Sequence, residues 1–210
     1  MNANITLQML QRLPKYLNYL TALPPEGAAN ISATAIAEAL KLNDVQVRKD
    51  LASVSDGGKP KVGYVTQNLI NDIKEILGYN NSHDAIIVGV GSLGHALLSY
   101  EGFSKYGLNI VAGFDTDEKI IGTEVGGKMI LPVTKLENLC ERMRIRIGII
   151  AVPAGAAQSV CDTLVQSGVL AVWNFAPVHL NTGEGILVQD ENMAASLALL
   201  SRHLTEKISG

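Results

Sequence analysis

Cysteine, aromatic residues and long apolar runs are all scarce in this sequence. Only 2 of its 210 residues are cysteines, and 5% are aromatic. Cys140 and Cys161 are too far apart for a Cys-x-x-Cys motif, so we expect buried, reduced thiols and no metal site. No stretch approaches the roughly 18 apolar residues that a membrane span needs, and residues 1–10 lack the basic start of a signal peptide. We therefore expect a cytoplasmic protein that neither spans a membrane nor is exported.

An excess of basic residues is also missing, since the chain carries a formal net charge of −3. Residues 1–80 contain 8 Lys and Arg against 7 Asp and Glu, whereas residues 81–210 contain 9 against 13. The two parts therefore differ in sign, at +1 and −4. Because an average over domains hides local patches, a basic surface within residues 1–80 remains compatible with a nucleic-acid partner.

Three parts of the chain differ in their pattern of helices and strands. Residues 1–80 read as helices with one short hairpin, and a polar break at 79–83 ends this part. Residues 81–190 alternate short Val- and Ile-rich segments with helices, which predicts an α/β fold with a parallel sheet covered on both faces. The predicted strands are 85–88, 109–114, 129–131, 145–151, 169–174 and 186–188.

Residues 191–210 form the third part, for which the spacing predicts an amphipathic helix. Its apolar residues lie on one stripe, consisting of Met193, Leu197, Leu200, Leu204 and Ile208. The stripe packs either against the sheet of its own chain or against a partner subunit, and the spacing alone does not distinguish these alternatives.

A glycine-rich turn follows the first predicted strand and opens a helix. Its residues are Gly89, Val90, Gly91, Ser92, Leu93 and Gly94, with His95 next in the helix. In the Rossmann fold the first glycine makes the tight turn, the second lets the pyrophosphate approach, and the third lets helix and strand pack closely. The helix N-terminus also attracts phosphate. The pattern predicts a doubly wound Rossmann domain with a dinucleotide site.

Asp115 ends the second predicted strand, 21 residues after Gly94. This is close to the spacing of the acid that binds the adenosine ribose hydroxyls, and a carboxylate there repels a 2′-phosphate. The following residues, 116–118, include no cation. We therefore predict NAD(H) as the cofactor, in preference to NADP(H).

Two later strand ends are candidate walls for the nicotinamide half of the cofactor. They are Ala151, Val152 and Pro153, and Asn174, Phe175, Ala176 and Pro177. Ligands of open parallel sheets bind at the carboxyl ends of strands. The alternative is that the prolines only punctuate loops.

Residues 31–54 read as two short helices joined by a tight turn. Ser32 is a candidate N-cap of a helix over 33–40. Asn43 or Asp44 is the candidate N-cap of the helix that follows. An apolar face at Val47, Leu51 and Val54 holds the second helix on the domain. This turns Gln46, Lys49 and Ser53 outward and leaves Arg48 on the flank, as in a recognition helix that reads DNA.

A glycine-rich turn at 56–61, followed by 62–65, predicts a wing between two short strands. Lys59, Lys61 and Tyr64 on this wing are candidate DNA contacts. The alternative is an ordinary turn beside solvated helix charges. The order helix, turn, helix and basic wing favours a winged helix-turn-helix domain that binds double-stranded DNA.

The chain resembles the Rex family of redox-sensing repressors over nearly its whole length. The matching segments are 12–16, 46–51, 63–64, 89–94, 113–115 and 174–178. The resemblance implies a homodimer whose C-terminal helix is exchanged between subunits, so that the apolar stripe packs on the partner. It also implies a repressor of respiratory and fermentative genes that NADH releases from DNA.

The same resemblance implies a switch at which Arg12 meets Tyr100 and an acid that opens the C-terminal helix. In this sequence the position of the acid is Asn192, which accepts a hydrogen bond but carries no charge. The coupling is therefore either weaker or carried by a neighbour, and Asp190 and Glu191 stand just before this position. The wing also departs from the family, since Pro60 and Lys61 stand where an arginine and a glycine are usual.

Two other functions are compatible with a dinucleotide turn. An NAD-dependent oxidoreductase needs a substrate domain, but the predicted strands lead directly into the terminal helix, and no tyrosine begins a Tyr-x-x-x-Lys motif. A module for coenzyme A is the second alternative, because fold alone does not determine the ligand, and Asp115 argues against it. We therefore expect a regulator and not an enzyme.

Overall fold

The structure is a computed structural model that describes residues 5–24 and 29–209. The chain divides into two compact units, Met1–Asn81 and Ser82–Gly210. The division falls within the polar break of the sequence. Each unit has its own hydrophobic core and is described by itself.

In its described residues, 5–24 and 29–81, the N-terminal unit contains four helices and two very short strands. In chain order they are α1 (Leu7–Thr21), β1 (Asn30–Ile31), α2 (Ala33–Leu40), α3 (Asp44–Val54), β2 (Tyr64–Val65) and α4 (Thr66–Ile76). Ser32 caps α2 by accepting from the Ala35 N–H, and Asn43 caps α3 by accepting from the Gln46 N–H, both at 3.0 Å. The predicted helix starts are therefore confirmed, since these side chains satisfy backbone donors that a helix leaves unpaired.

The wing differs from the predicted hairpin in the partner of its strand. Residues before the turn belong to α3, and β2 pairs antiparallel with β1, with Ile31 opposite Tyr64. Within the turn, Lys59 and Gly63 exchange two backbone hydrogen bonds of 2.9 Å. A Cβ at Gly63, where φ is +83°, would collide with the carbonyl oxygen of Ile31. Glycine at this position therefore lets the wing cross closely over β1.

The second unit alternates strands and helices. Its first half contains β3 (His83–Val88), α5 (Ser92–Ser99), a 3₁₀ helix (Glu101–Tyr106), β4 (Leu108–Asp115), β5 (Glu124–Val125) and β6 (Lys128–Pro132). Its second half contains a 3₁₀ helix (Val133–Lys135), α6 (Leu136–Met143), β7 (Ile147–Ile150), α7 (Ala154–Gln166), β8 (Ala171–Asn174), β9 (Leu187–Asp190) and α8 (Met193–Ser209).

The seven strands form one sheet in the order β5-β6-β4-β3-β7-β8-β9. All neighbours are parallel except β5 and β6, which form an antiparallel hairpin at the edge. Each of the six predicted strands is present, and the predicted α/β fold is confirmed. The short strand β5 was not predicted, because two residues are too few for an alternating pattern.

Helices cover both faces of the sheet. One core cluster joins the strands to α6 and α7 through residues such as Leu136 and Leu164, and the other joins them to α5 through Leu98. Cys140 and Cys161 are free thiols within the first cluster, as expected, and burial raises the pKa of Cys140 to about 11. The strand order reverses between β3 and β7, which is where doubly wound sheets bind nucleotides.

The helix α8 carries the predicted apolar stripe on its surface. Met193, Leu197, Leu200, Leu204 and Ile208 are each at least 55% exposed. The stripe therefore does not pack against the sheet of its own chain. None of the helices in the described part of the chain is both long and apolar enough to cross a bilayer.

Candidate cofactor and DNA-binding sites

The three glycines of the turn after β3 occupy different environments. At Gly89, where φ is +91°, a Cβ would lie 2.6 Å from the carbonyl oxygen of Ala151. A Cβ at Gly94 would collide with the carbonyl oxygen of Gly89, so this glycine allows α5 to start close to β3. Gly91 has no neighbour within 4 Å of its Cβ position. The turn is therefore open at the one glycine where a phosphate approaches in Rossmann sites.

Asp115 lies beside this turn at the end of β4 and is half-buried. Its carboxylate accepts a hydrogen bond of 2.6 Å from the backbone N–H of Val90. It also accepts from the N–H groups of Thr116 at 2.7 Å and Asp117 at 3.0 Å. The carboxylate thus joins the glycine turn to the loop after β4, and the sequence analysis did not predict this role.

A cleft of about 680 Å³ opens at the carboxyl ends of β3, β4 and β7. The predicted site residues that line it are Gly89, Gly91, Leu93, Asp115, Ala151, Val152, Pro153 and Phe175. A neighbouring hollow of about 500 Å³ is lined by Val90, Gly91, Ser92, His95 and Asp115. Gly91 and Asp115 belong to both, so the two spaces meet at the glycine turn.

One face of α7 forms a wall of the cleft that the sequence analysis missed. Its lining residues Ala156, Ser159, Val160 and Thr163 are spaced as i, i+3, i+4 and i+7, which places them on a single helical face. Thr116, Val133 and Leu136 line the cleft as well. The helical spacing of these residues, in the segment that follows the strand end at Ile150, was the sequence signal that could have predicted this wall.

Asn174, Ala176 and Pro177 are not among the residues that line the cleft. Asn174 is fully buried, and its amide nitrogen donates to the Val178 carbonyl and to Asp190, both at 2.8 Å. Its amide oxygen accepts from the N–H of Ala176 at 3.0 Å. These bonds hold the loop that carries Phe175, so Asn174 stabilises the cleft wall without lining the cleft.

The second helix of the helix-turn-helix has the predicted two faces. Val47 and Leu51 are fully buried, whereas Gln46, Arg48 and Lys49 are exposed. Arg48 pairs with Asp44 at 2.9 Å and donates to Thr34 at 3.1 Å. Ser53 is only half-buried, and its hydroxyl donates to the Lys49 carbonyl at 3.0 Å. The exposed donors therefore concentrate at the first half of α3.

The wing, the start of α2 and Arg48 of α3 enclose a hollow of about 450 Å³. Four predicted DNA contacts line it together, namely Arg48, Lys59, Lys61 and Tyr64. Lys61 adopts a left-handed backbone with φ of +64°, the conformation that glycine takes at least cost. The wing therefore keeps a turn suited to glycine while presenting a lysine. Burial raises the pKa of Tyr64, so its hydroxyl stays protonated and able to donate.

Arg12 has a partner that the sequence analysis did not predict. Its guanidinium binds the Asp50 carboxylate through two hydrogen bonds, of 2.7 and 2.8 Å. Asp50 is 3% exposed and also accepts from the Tyr16 hydroxyl and the Gln46 amide, both at 2.8 Å. Burial alone would raise the pKa of Asp50, but these hydrogen bonds outweigh burial and hold it below its usual range. The four side chains therefore join α1 to α3.

Tyr100 and Asn192 have local partners in the second unit. The Tyr100 ring packs edge-on against Phe103, with 4.9 Å between ring centroids. Asn192 accepts from the Ala195 N–H at 2.8 Å, so its side chain caps α8. The neighbouring Glu191 accepts from the indole N–H of Trp173 at 2.8 Å. The meeting of Tyr100 and Asn192 with Arg12 stays a prediction.

These features define a class of protein, in which a winged helix-turn-helix is followed by a Rossmann unit with a dinucleotide-type turn. Comparison with protein families agrees. A model described as a putative DNA-binding protein N-terminus matches residues 4–52, and one described as a CoA binding domain matches residues 80–178.

Individual relatives define the class further. The redox-sensing transcriptional repressor Rex of Porphyromonas gingivalis is 40% identical over 91% of this chain and 88% of that protein. Rex of Bacteroides fragilis is 37% identical over 93% of this chain and 89% of that protein. Rex of Clostridium novyi is 34% identical over 94% of this chain and 94% of that protein. The chain belongs to the Rex family of redox-sensing transcriptional repressors.

Solved structures agree with this assignment. The crystal structure of RSP in complex with β-NAD⁺ and operator DNA matches with a TM-score of 0.90 and 30% identity, over 97% of this chain and 94% of that chain. RSP in complex with β-NADH matches with a TM-score of 0.86, over 97% of this chain and 96% of that chain. The resemblance inferred from the sequence is confirmed.

Proposed function

We propose that this protein is a cytoplasmic repressor that binds operator DNA as a homodimer and is released from it by NADH. The α3 helix and the wing contact DNA, and the cleft beside Asp115 holds the cofactor. The observation that carries the proposal is the position of the Asp115 carboxylate against the open glycine turn. Relatives named redox-sensing repressors, and RSP complexes with NADH and with NAD⁺ and operator DNA, support it.

Asp115 also supports NAD(H) over other nucleotides. A carboxylate at the end of this strand accepts a hydrogen bond from the ribose of NAD(H), and the three backbone N–H groups leave Asp115 one acceptor position for it. A phosphate on the ribose, as in NADP(H) or coenzyme A, would meet like-charge repulsion. Asp117 and Glu118 follow closely and add negative charge.

The cleft chemistry supports a sensor and not an oxidoreductase. Among the described residues that line the cleft, Asp115 is the only ionisable side chain, and the others are glycine, hydroxyl or apolar residues. Hydride transfer to or from a carbonyl usually needs a positioned acid or base. Asp115 is occupied by three backbone N–H groups. We therefore propose that no hydride transfer occurs, and a steady-state assay of NADH oxidation tests this.

NADH must bind the DNA-free arrangement better than the DNA-bound one, because a ligand with equal affinity for both shifts nothing. The test uses a duplex that the protein itself selects from a randomised library, with NADH and NAD⁺ titrated at one salt concentration. We expect NADH to release the duplex, and NAD⁺ to leave it bound while competing with NADH. Equal release by both nucleotides would contradict redox sensing.

Lys49 supports a specific prediction for DNA binding. Because Lys49 is exposed on α3, we expect it to contact phosphate. Lys49→Ala should weaken binding to the selected duplex and lower the slope of log affinity against log salt by about one. Lys105→Ala removes the same charge from the second unit and serves as the control. Fluorescence anisotropy at several salt concentrations measures both, and equal slopes would remove Lys49 from the interface.

The exposed stripe of α8 supports the homodimer. Five large apolar side chains on one helix face are unusual on a monomer and mark an interaction surface. Leu200→Glu should therefore shift the protein to monomers, as measured by analytical ultracentrifugation. Ala195→Glu places the same charge on the opposite side of α8 and should leave the dimer intact. A Leu200→Glu variant that sediments as the wild type would place the interface elsewhere.

Arg12, Tyr100 and Asn192 remain our proposal for the coupling between cofactor and DNA. Arg12 is bound to Asp50 of α3, so a contact that moves Arg12 also acts on the recognition helix. Tyr100 and Asn192 lie at the ends of α5 and α8 in the cofactor unit. Coupling through these residues would be reciprocal, with NADH weakening DNA binding and DNA weakening NADH binding by the same factor.

A further inference from the structure

Gln46 occupies the position of α3 from which base contacts are usually made. It is the third residue of the helix and is exposed. In helix-turn-helix proteins the N-terminal residues of the recognition helix contact base edges in the major groove. The amide group of Gln46 is therefore a candidate for reading a base, and its orientation decides which base it fits.

Asp50 determines that orientation. One carboxylate oxygen accepts from Arg12 Nε at 2.7 Å and from the Tyr16 hydroxyl at 2.8 Å. The other accepts from Arg12 Nη2 and from Gln46 Nε2, both at 2.8 Å. An ionised carboxylate has about four acceptor positions, so these bonds fill it.

The amide of Gln46 cannot rotate to its other face without losing this bond. A carboxylate accepts and does not donate, so only the amide nitrogen of Gln46 binds Asp50 favourably. The low pKa of Asp50 keeps the carboxylate ionised. One N–H of the amide is therefore engaged, and the oxygen Oε1 and the second N–H are left for another partner.

We propose that Gln46, held by Asp50, recognises an adenine in the major groove of the operator. Adenine presents one donor, N6, beside one acceptor, N7, and a glutamine amide binds both with its oxygen and one N–H. Guanine presents two acceptors at the same edge and leaves the Gln46 oxygen without a donor. Asp50 is thus a positioning residue for base specificity. This inference rests on the proposed DNA-binding function.

The test begins with selection of duplexes from a randomised library by the full-length wild type, Gln46→Ala and Lys49→Ala. We expect the wild type to enrich adenine at one position in each half-site, and Gln46→Ala to lose that preference alone. A good bidentate contact corresponds to about 5- to 150-fold discrimination. Lys49→Ala is the control, because loss of a phosphate contact weakens all sequences and leaves the preference unchanged.

A second measurement replaces that adenine by 7-deazaadenine, which lacks the N7 acceptor. Affinity of the wild type should fall several-fold, and affinity of Gln46→Ala should not change. Asp50→Asn, which cannot accept four hydrogen bonds, should lose the preference at the same position while other positions keep theirs. Where Asp50→Asn does not fold, the 7-deazaadenine result with Gln46→Ala decides whether Gln46 contacts the adenine.

Three outcomes overturn different conclusions. A wild type that enriches no sequence would contradict the proposed function itself, and the inference with it. A wild type that enriches a defined site, with the same preferences and the same response to 7-deazaadenine after Gln46→Ala, would contradict only the adenine assignment. Retained preference in a folded Asp50→Asn variant would contradict the positioning role.

Discussion

Replacing Asp50 with alanine is expected to lower the free energy of unfolding of the N-terminal unit by about 1–3 kcal/mol. Asp50 is 3% exposed and accepts four hydrogen bonds. Its removal leaves the Arg12 guanidinium without its counter-ion and the Tyr16 hydroxyl without its acceptor. The Arg12 side chain is 22% exposed, so water compensates part of its lost counter-ion, but the buried acceptor of four hydrogen bonds is removed and the loss exceeds that of an ordinary surface ion pair.

Amide hydrogen exchange under denaturant measures this effect separately in each unit. Protection in α1 and α3 should fall, whereas protection in β3 and β7 of the second unit should not change. Asp44→Ala is the matched control, since Asp44 belongs to the same helix but its pair with Arg48 is exposed. That substitution should cost less than about 1 kcal/mol. Equal losses for the two variants would mean that the buried network is not stabilising.

The same network predicts a dependence of stability on pH in two ranges. The pKa of Asp50 is lowered on folding, so its contribution is present above the ordinary carboxyl range and is lost as the pH falls through the lowered pKa. Burial and the bond to Asp50 raise the pKa of Tyr16 to about 12 from 10.0. Its contribution is therefore present below pH 10 and is lost as the pH rises toward about 12.

Replacing Asp115 with alanine is expected to weaken NADH binding by about 1–3 kcal/mol. The substitution removes the acceptor for the ribose hydroxyls. It also releases the N–H groups of Val90, Thr116 and Asp117, so the glycine turn loses its tie to the loop after β4. DNA binding in the absence of NADH should survive, because the winged helix-turn-helix is a separate compact unit.

Calorimetric titration with NADH measures the loss. Glu118→Ala is the control, since it removes one negative charge from the same loop without touching the three N–H groups. A similar loss in both variants would indicate that net charge, and not hydrogen bonding by Asp115, governs affinity. Unchanged affinity in Asp115→Ala would mean that the ribose is held elsewhere.

Features that depend on neighbouring residues could be predicted from the sequence. The caps at Ser32 and Asn43 bind N–H groups three residues away, and the glycine turn is one short segment. Strands were found where Val and Ile cluster between turn residues, as in 85–88. These signals are local, and burial of the same faces in the folded chain reinforces them.

Features that depend on distant residues could not be predicted. Arg12 and Asp50 are 38 residues apart, and no periodicity connects a residue of α1 with one of α3. The bond from the Val90 N–H to Asp115 spans 25 residues and depends on how β3 and β4 align. The same holds for β1, which is a strand only because β2 returns beside it.

The position of Trp173 gives this molecule a spectroscopic property. It is the single tryptophan in the sequence, so all indole emission of the chain arises from one place. Its ring centroid lies 4.8 Å from that of Phe175, which lines the cleft, and its N–H donates to Glu191, just before the cap of α8. Indole fluorescence responds to the polarity around the ring and to hydrogen bonding of its N–H. The intensity and wavelength of Trp173 emission therefore report, without any added dye, on both the cleft wall and the N-terminus of α8.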